Sequence, residues 1–289
     1  MGVDHLVSRA ETALYTMQGR ISPPEDGRVQ FFPRKNWQTE IELVPKVPLR
    51  GLEWLYDLHG QGANPLETAE GRLDARIRLG RASVRVASIC ADYFLSCPLV
   101  RIDAAVRIER IERLKWLISV CPEMGITRIV LPVLEEARIA SSRDSEDILF
   151  ALNEALGDAV RCGVGIYLEM DMPPAEVRAF LAEIRHPRVK INYDSGNSAS
   201  LGYRVGDEFA AYGDRIGSLH IKDRILGGPS VPLGTGNVDF QALRSALLDI
   251  DYRGDFVMEI ARGKPGDELN SIKRSAALAA RWLRGEKFE

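Results

Sequence analysis

The sequence predicts an α/β protein, a single-domain (β/α)8 barrel. Three observations carry that expectation. Eight short runs rich in β-branched and apolar residues recur along the 289 residues, with helical patterns between most of them, at roughly 35 residues per unit. Residues able to bind a metal or move a proton stand where these runs stop, most plainly in V-K-I-N-Y-D-S-G-N-S and I-G-S-L-H-I-K-D-R. No linker, low-complexity segment or change of composition divides the chain, so 12–289 is read as one barrel domain and 1–11 as an N-terminal extension. A doubly wound open sheet is the competing architecture. It is disfavoured because no glycine-rich phosphate loop follows the first strand.

The elements follow in order. Ala13–Gln18 reads as the first strand, and S-P-P-E-D-G-R after it as a turn-rich loop, because its Pro and Gly residues break regular structure. Asn36 is placed to cap a helix over Trp37–Val44. Leu52–Tyr56 and Ala82–Cys90 read as strands two and three. Arg107–Cys121 carries Ile108, Ile111, Leu114, Ile118 and Val120 at close to helical spacing. Thr127–Val133 is the fourth strand, Ser145–Cys162 an amphipathic helix, and Gly165–Glu169 the fifth strand. M-P-P-A-E opens the next helix with Pro near its first position, where a missing N–H costs nothing. Strands six and seven begin at Val189 and Ile216 and are followed by a helix over Val238–Asp249 capped by Asn237. Strand eight covers Asp255–Ile260, and a closing helix covers Asp267–Arg284.

Composition excludes several functions. The chain is 45% hydrophobic and 27% charged with a net charge of −3, and its basic residues are interspersed with acidic ones, which argues against a nucleic-acid groove or an anionic membrane surface. No apolar run reaches membrane-spanning length. The charged N-terminus does not read as a signal peptide, so the cytoplasm is the expected compartment. Cys90, Cys97, Cys121 and Cys162 show no C-x-x-C spacing and read as reduced thiols.

In a barrel, residues at the carboxyl ends of the strands converge on one face. The candidates there are Gln18, Glu53, Asp57, His59, Cys90, Asp92, Glu135, Glu169, Asp194, Asn197, His220, Lys222 and Glu259. Glu169, Asp194, His220 and Glu259 are read as one metal site. They are separated by 25, 26 and 39 residues, each step one βα unit with the last lengthened by a loop. Three carboxylates and one imidazole suit Mn²⁺, Mg²⁺, Co²⁺ or Zn²⁺, and the carboxylate excess favours manganese or magnesium. Clustered carboxylates also repel unless a cation or shared protons offset them. Taken singly, each has a plainer reading. Asp194 before S-G-N caps a helix, His220 is a satisfied core histidine, Glu259 pairs with an arginine, and Glu169 is an ordinary strand-end acid. The loop G-G-P-S-V-P-L-G-T-G reads either as an anion nest of glycine N–H groups or as a turn that only needs glycine. Gln18, Gly19 and Arg20 are placed to meet a substrate on the opposite wall. His59 reads as loop-solvated first and catalytic second; His186 belongs to the opposite face and His5 to the tail.

M-Q-G-R-I-S-P-P with F-F-P downstream, G-L-E-W-L-Y-D, C-A-D-Y-F, N-Y-D-S-G-N-S, S-L-H-I-K-D-R, V-P-L-G-T-G-N-V-D-F and V-M-E-I-A-R run from about Met17 to Arg262. With these pieces the chain resembles the xylose isomerase-like TIM-barrel superfamily, in particular its sugar phosphate isomerase/epimerase branch with the hexulose-phosphate 3-epimerases. The resemblance implies metal ligands at the ends of strands five to eight, which fall on Glu169, Asp194, His220 and Glu259. It also implies that the two glutamates form an acid/base pair. Two departures stand out. Asn197 occupies a position where some relatives carry a histidine, and Leu134-Glu135 stands where many have Val-Asp.

The expected function is a divalent-metal-dependent isomerase or epimerase of a ketose or ketose phosphate, moving a proton through a metal-stabilised cis-enediolate. Glu169 and Glu259 are the expected acid/base pair. Gln18, Glu53, Asn197, Lys222 and Arg224 are candidates to contact the sugar. A keto-polyol dehydratase on the same barrel and a non-catalytic sugar-binding protein are the alternatives. The expected partner is a small sugar or sugar phosphate, with no nucleic acid and no membrane, and homo-oligomerisation is left open.

Overall fold

R-I-V-L-P-V, the fourth strand, is buried at all six positions, which is how a parallel strand reads when helices cover one face and other strands' side chains fill the other. The same holds around the whole sheet. The computed structural model describes residues 5–7 and 13–286. In it β1 (Leu14–Met17), β2 (Gly51–Leu55), β3 (Arg85–Cys90), β4 (Arg128–Val133), β5 (Gly165–Met170), β6 (Val189–Asp194), β7 (Ile216–Ile221) and β8 (Phe256–Met258) pair in parallel in sequence order. β8 closes onto β1, so the barrel has no free edge. The expected (β/α)8 barrel is therefore the observed fold.

The helices outside it are α1 (Trp37–Leu43), α2 (Ala69–Ala82), α3 (Tyr93–Ser96), α4 (Ala104–Val120), α5 (Ser142–Cys162), α6 (Pro174–Ala182), α7 (Ser195–Leu201), α8 (Val205–Tyr212), α9 (Phe240–Asp249) and α10 (Glu268–Leu283). Four local expectations are corrected. The third strand starts at Arg85 rather than Ala82, because Ala82 ends α2 and Ser83 turns the chain in the left-handed region at φ 55°. α2 had left little trace in the sequence, since it buries only Ala75 and Leu79. α9 is capped by Asp239, whose side chain accepts from Ala242 N; Asn237 instead accepts from Leu226 N. Asn36 precedes α1 without capping it, and its amide donates to Glu25. His5 is not a loose tail residue: Nε2 lies 2.9 Å from Tyr252 O, and neighbouring Leu6 is fully buried.

Register brings the site together. Asp194 pairs with His220, His220 with Val257, and Pro132 with Glu169. In parallel strands paired residues share a face, so Glu169, Asp194 and His220 point inward near one mouth, and Glu259 follows the last residue of β8. Next to that mouth, Glu40 on α1 is fully buried. Its carboxylate accepts from Gly19 N, Ile21 N, Ser22 N and Ser22 Oγ, fixing the turn after β1, where Gly19 needs φ +80°. Replacing Glu40 with Ala strands these donors. We expect Glu40→Ala to lower unfolding stability by about 3 kcal/mol or more in urea melts, whereas a loss under about 0.5 kcal/mol would contradict the assignment.

Candidate active site

The floor of the site is built around His220, which is fully buried. Its Nδ1 lies 3.1 Å from Glu259 Oε2 and 3.3 Å from Glu169 Oε2, and its Nε2 lies 3.0 Å from Glu53 Oε2. Neither ring nitrogen has a hydrogen bond of proper geometry despite these approaches. Glu169, Asp194, His220 and Glu259 each present one ligand atom, and all four atoms lie within 4.8 Å of one another. That is the arrangement of donors gathered on a common centre.

The carboxylates are individually oriented. Glu169 accepts from Asn192 Nδ2 and Asn197 Nδ2, both at 2.9 Å. Asp194 does two jobs. Oδ1 caps α7 by accepting from Asn197 N at 2.8 Å, while Oδ2 faces Lys222 Nζ at 3.3 Å. Lys222 Nζ also lies 2.5 Å from Glu259 Oε1, and Arg20 Nη2 is 3.8 Å from the same oxygen. Burial pushes Asp194 up to about 6 against the pull of Lys222. Burial would raise Glu259 too, but Lys222 and His220 hold it well below the usual carboxylate range. Burial opposes protonation of His220, and the charges of Glu53 and Glu169 outweigh it, raising the imidazole well above its ordinary value.

These residues fit a divalent ion. With His220 neutral, the carboxylates Glu53, Glu169, Asp194 and Glu259 carry two more charges than Lys222 and Arg20 offset, the balance an M²⁺ ion supplies. Glu53 stands behind the imidazole, where a carboxylate orients a metal-binding histidine. It is fully buried and takes a 2.6 Å hydrogen bond from Ser88 Oγ. Expected to touch substrate, Glu53 is sealed beneath the floor instead. Gln18 is sealed as well. Its Oε1 accepts from Leu55 N, and its side chain is fully buried under β1 and β2.

Above the floor opens a cavity of about 490 Å³. Asn197, Lys222 and Arg224 line it, with Asp57, His59, Cys90, Asp92 and Glu135. Arg224 Nη1 donates to Asn197 Oδ1 at 2.8 Å, so the Asn at the departing position links an arginine to Glu169. His59 is not solvated: its side chain is 7% exposed, 3.6 Å from Glu25 and edge-on to Phe31. Glu135 holds φ 54°, a strained setting for a side chain on the wall. Arg28 and Gln30 went unnoticed in the sequence. Arg28 ends the turn-rich loop and Gln30 lies just beyond it, where Gln30 Nε2 reaches Asp92 Oδ2 at 2.6 Å.

Of the two readings of G-G-P-S-V-P-L-G-T-G, the structure favours the turn over the anion nest: Gly227 N donates to Ser200 O and Gly228 N to Ile225 O. Asp223 fills that nest from within, accepting from Gly234 N and Gly236 N through Oδ2 and from Val238 N through Oδ1. A Cβ on Gly236 would sit 2.3 Å from Asp223 Oδ1, so glycine is required there for the turn.

A family model for the xylose isomerase-like TIM barrel matches residues 43–285. The chain belongs to that family. Among its relatives, L-ribulose-5-phosphate 3-epimerase UlaE of Escherichia coli (strain SMS-3-5 / SECEC) is 26% identical over 235 residues, 78% of this chain and 82% of its own. D-allulose 3-epimerase from Methylomonas sp. superposes with a TM-score of 0.72 at 19% identity, covering 94% of this chain and 98% of that one. A xylose isomerase-like barrel protein from Mycobacterium smegmatis in complex with magnesium superposes at 0.70 and 17% identity, covering 96% and 98%. At these identities the two structures share the family's fold with this chain. Among the described residues, no helix is long and apolar enough to cross a membrane.

Burial pushes Asp92 up to about 7 against hydrogen bonds from Gln30 and Cys90. Its folded value lies above the unfolded one of about 3.9, so folding favours the protonated acid and stability falls as pH rises from about 4 to about 7. Asp92→Asn removes this dependence. Calorimetry should show the variant gaining Tm over the wild type at pH 8 and losing that gain at pH 4; an equal offset at both pH values would contradict the account.

Proposed function

We propose that the chain is a divalent-metal-dependent epimerase or isomerase of a ketose or ketose phosphate. The observation that carries this reading is the meeting of Glu169, Asp194, His220 and Glu259 at the floor of one cavity. The names of the relatives, an L-ribulose-5-phosphate 3-epimerase and a D-allulose 3-epimerase, point to the same class of reaction. Three carboxylates with one imidazole favour manganese or magnesium among the candidate ions. Four unpaired cysteines agree with the expected cytoplasmic setting.

When bound by these four side chains, the ion supplies positive charge for the oxyanion that develops as a proton leaves the carbon beside a carbonyl. Glu169 and Glu259 are the groups we assign to remove and return that proton. Asn192 and Asn197 hold the Glu169 carboxylate in place, and Lys222 holds Glu259, so neither acid has to be ordered when substrate arrives. Arg224 and Asn197 stand on the cavity wall to donate to sugar oxygens, and Lys222 keeps Glu259 ionised. Return of the proton to the opposite face of the same carbon gives epimerisation, and return to the adjacent carbon gives isomerisation.

Incubation with C5 and C6 ketoses and their phosphates in D₂O tests this directly. The expected outcome is stereoinversion or isomerisation with deuterium at the exchanging carbon, abolished by EDTA, restored by Mn²⁺ or Mg²⁺, and reduced at least about 10³-fold in Glu169→Gln or Glu259→Gln. Elimination of water in place of exchange would assign a dehydratase. Binding with no exchange would assign a sugar-binding protein.

A further inference from the structure

One histidine in the wall of the cavity has no part in the chemistry assigned above. His59 stands with Arg28, Gln30 and Asp57 on a wall built by the loops after β1 and β2. In a closed barrel of eight strands in sequence order, β1 and β2 lie across from β5 and β6, which carry Glu169 and Asp194. The wall spends its acids internally. Asp57 accepts from Phe32 N and Gly60 N, and Asp92, just after β3, accepts from Gln30 Nε2 and Cys90 Sγ. Glu25 is buried as well. Its Oε1 accepts from Lys35 N at 3.0 Å and from Asn36 Nδ2 at 3.3 Å, and its Oε2 faces His59 Nε2 at 3.6 Å.

The His59 side chain is more than nine-tenths buried and meets Phe31 edge-on. Its two ring nitrogens differ. Nε2 is sealed from solvent against Glu25. A bare lone pair there would oppose the carboxylate, and a proton turns that repulsion into attraction. Neutral His59 therefore carries its proton on Nε2 and keeps a lone pair on Nδ1. Nδ1 is the nitrogen left open, and it has no hydrogen-bond partner among the described residues. A buried carboxylate thus aims an acceptor from the wall of the cavity. Such an acceptor favours a ligand with a hydroxyl hydrogen to give over one that lacks it.

We propose that His59, aimed by Glu25, is a specificity-determining residue whose Nδ1 accepts a hydrogen bond from a sugar hydroxyl remote from the reacting carbons. The inference rests on the sugar reading of the cavity, in which Glu169 and Glu259 work on the reacting end from the floor. Glu25 acts through the imidazole and is a positioning residue.

Two measurements test this, and the first needs no turnover. Long-range ¹H–¹⁵N spectra of the histidine-labelled full chain at about pH 8, assigned with His59→Asn, should show the Nε2–H tautomer. Glu25→Gln should convert it to Nδ1–H, because Lys35 N and Asn36 Nδ2 keep the oxygen and leave the amide NH₂ facing the ring. D-Fructose or D-ribulose added to the Mg²⁺-loaded wild type should shift the Nδ1 resonance. The second measurement compares kcat/KM for deuterium exchange on those ketoses with that on D-erythrulose, whose four-carbon chain is shorter. His59→Phe, which keeps a ring against Phe31, should lose at least about 10-fold on the longer ketoses, chiefly through KM, and less than about 2-fold on D-erythrulose. His59→Asn, with an amide oxygen in place of Nδ1, should recover part of that loss. A shifted Nδ1 resonance without exchange in the wild type would remove the epimerase reading and leave His59 as a sugar contact. An Nδ1–H tautomer in the wild type, no shift with either sugar, or equal losses on long and short ketoses would overturn the proposal.

Discussion

Buried carboxylates of like charge stay together only where positive charge holds them, and this constraint organises the carboxyl-terminal mouth of the barrel. Glu53, Glu169, Asp194 and Glu259 surround one buried imidazole at the floor of the cavity. Lys222 and Arg20 supply part of the compensation and His220 faces the remainder. Everything near the site can be read as serving that balance. Ser88 and Glu53 set the ring from below, and Asn192 with Asn197 set Glu169 from the side.

Rigid supports keep the cluster from relaxing apart. Glu208 on α8 accepts from Tyr193 and Ser198 through one oxygen and from Tyr212 through the other, tying the end of β6 to the two helices that follow Asp194. Glu40 fixes the turn after β1, and Arg262 donates to Gly19 O from beyond β8, so the seam where the barrel closes is bonded from both sides. Asp223 holds the loop beyond β7 through three backbone N–H groups. In each case a buried carboxylate is matched to donors, and a matched carboxylate is what lets polar groups sit in an interior without large cost.

The strand ends were legible in the sequence because their signal is local: a β-branched run that stops at Glu169, Asp194, His220 or Glu259 carries both its conformation and its chemistry within six residues. What was not legible depends on partners distant in the chain. Glu53 looks like any strand acid until β2 and β7 place it against His220. Arg28 and Gln30 lie in a loop whose path is set by Asp57 and Asp92, reached through Phe32 N and Gln30 itself. The glycines of V-P-L-G-T-G signal a tight turn, but not that Asp223 fills its donors. α2 escaped because two buried residues make too thin an apolar stripe to show periodicity.

Calorimetric titration of Mn²⁺ into chelator-treated protein tests the central claim most directly. A single saturable site per chain is expected, lost in His220→Gln and in Asp194→Asn while both variants remain folded by circular dichroism. Absence of saturable binding, or an unchanged isotherm in those variants, would show that the carboxylates around His220 are held by internal charges alone.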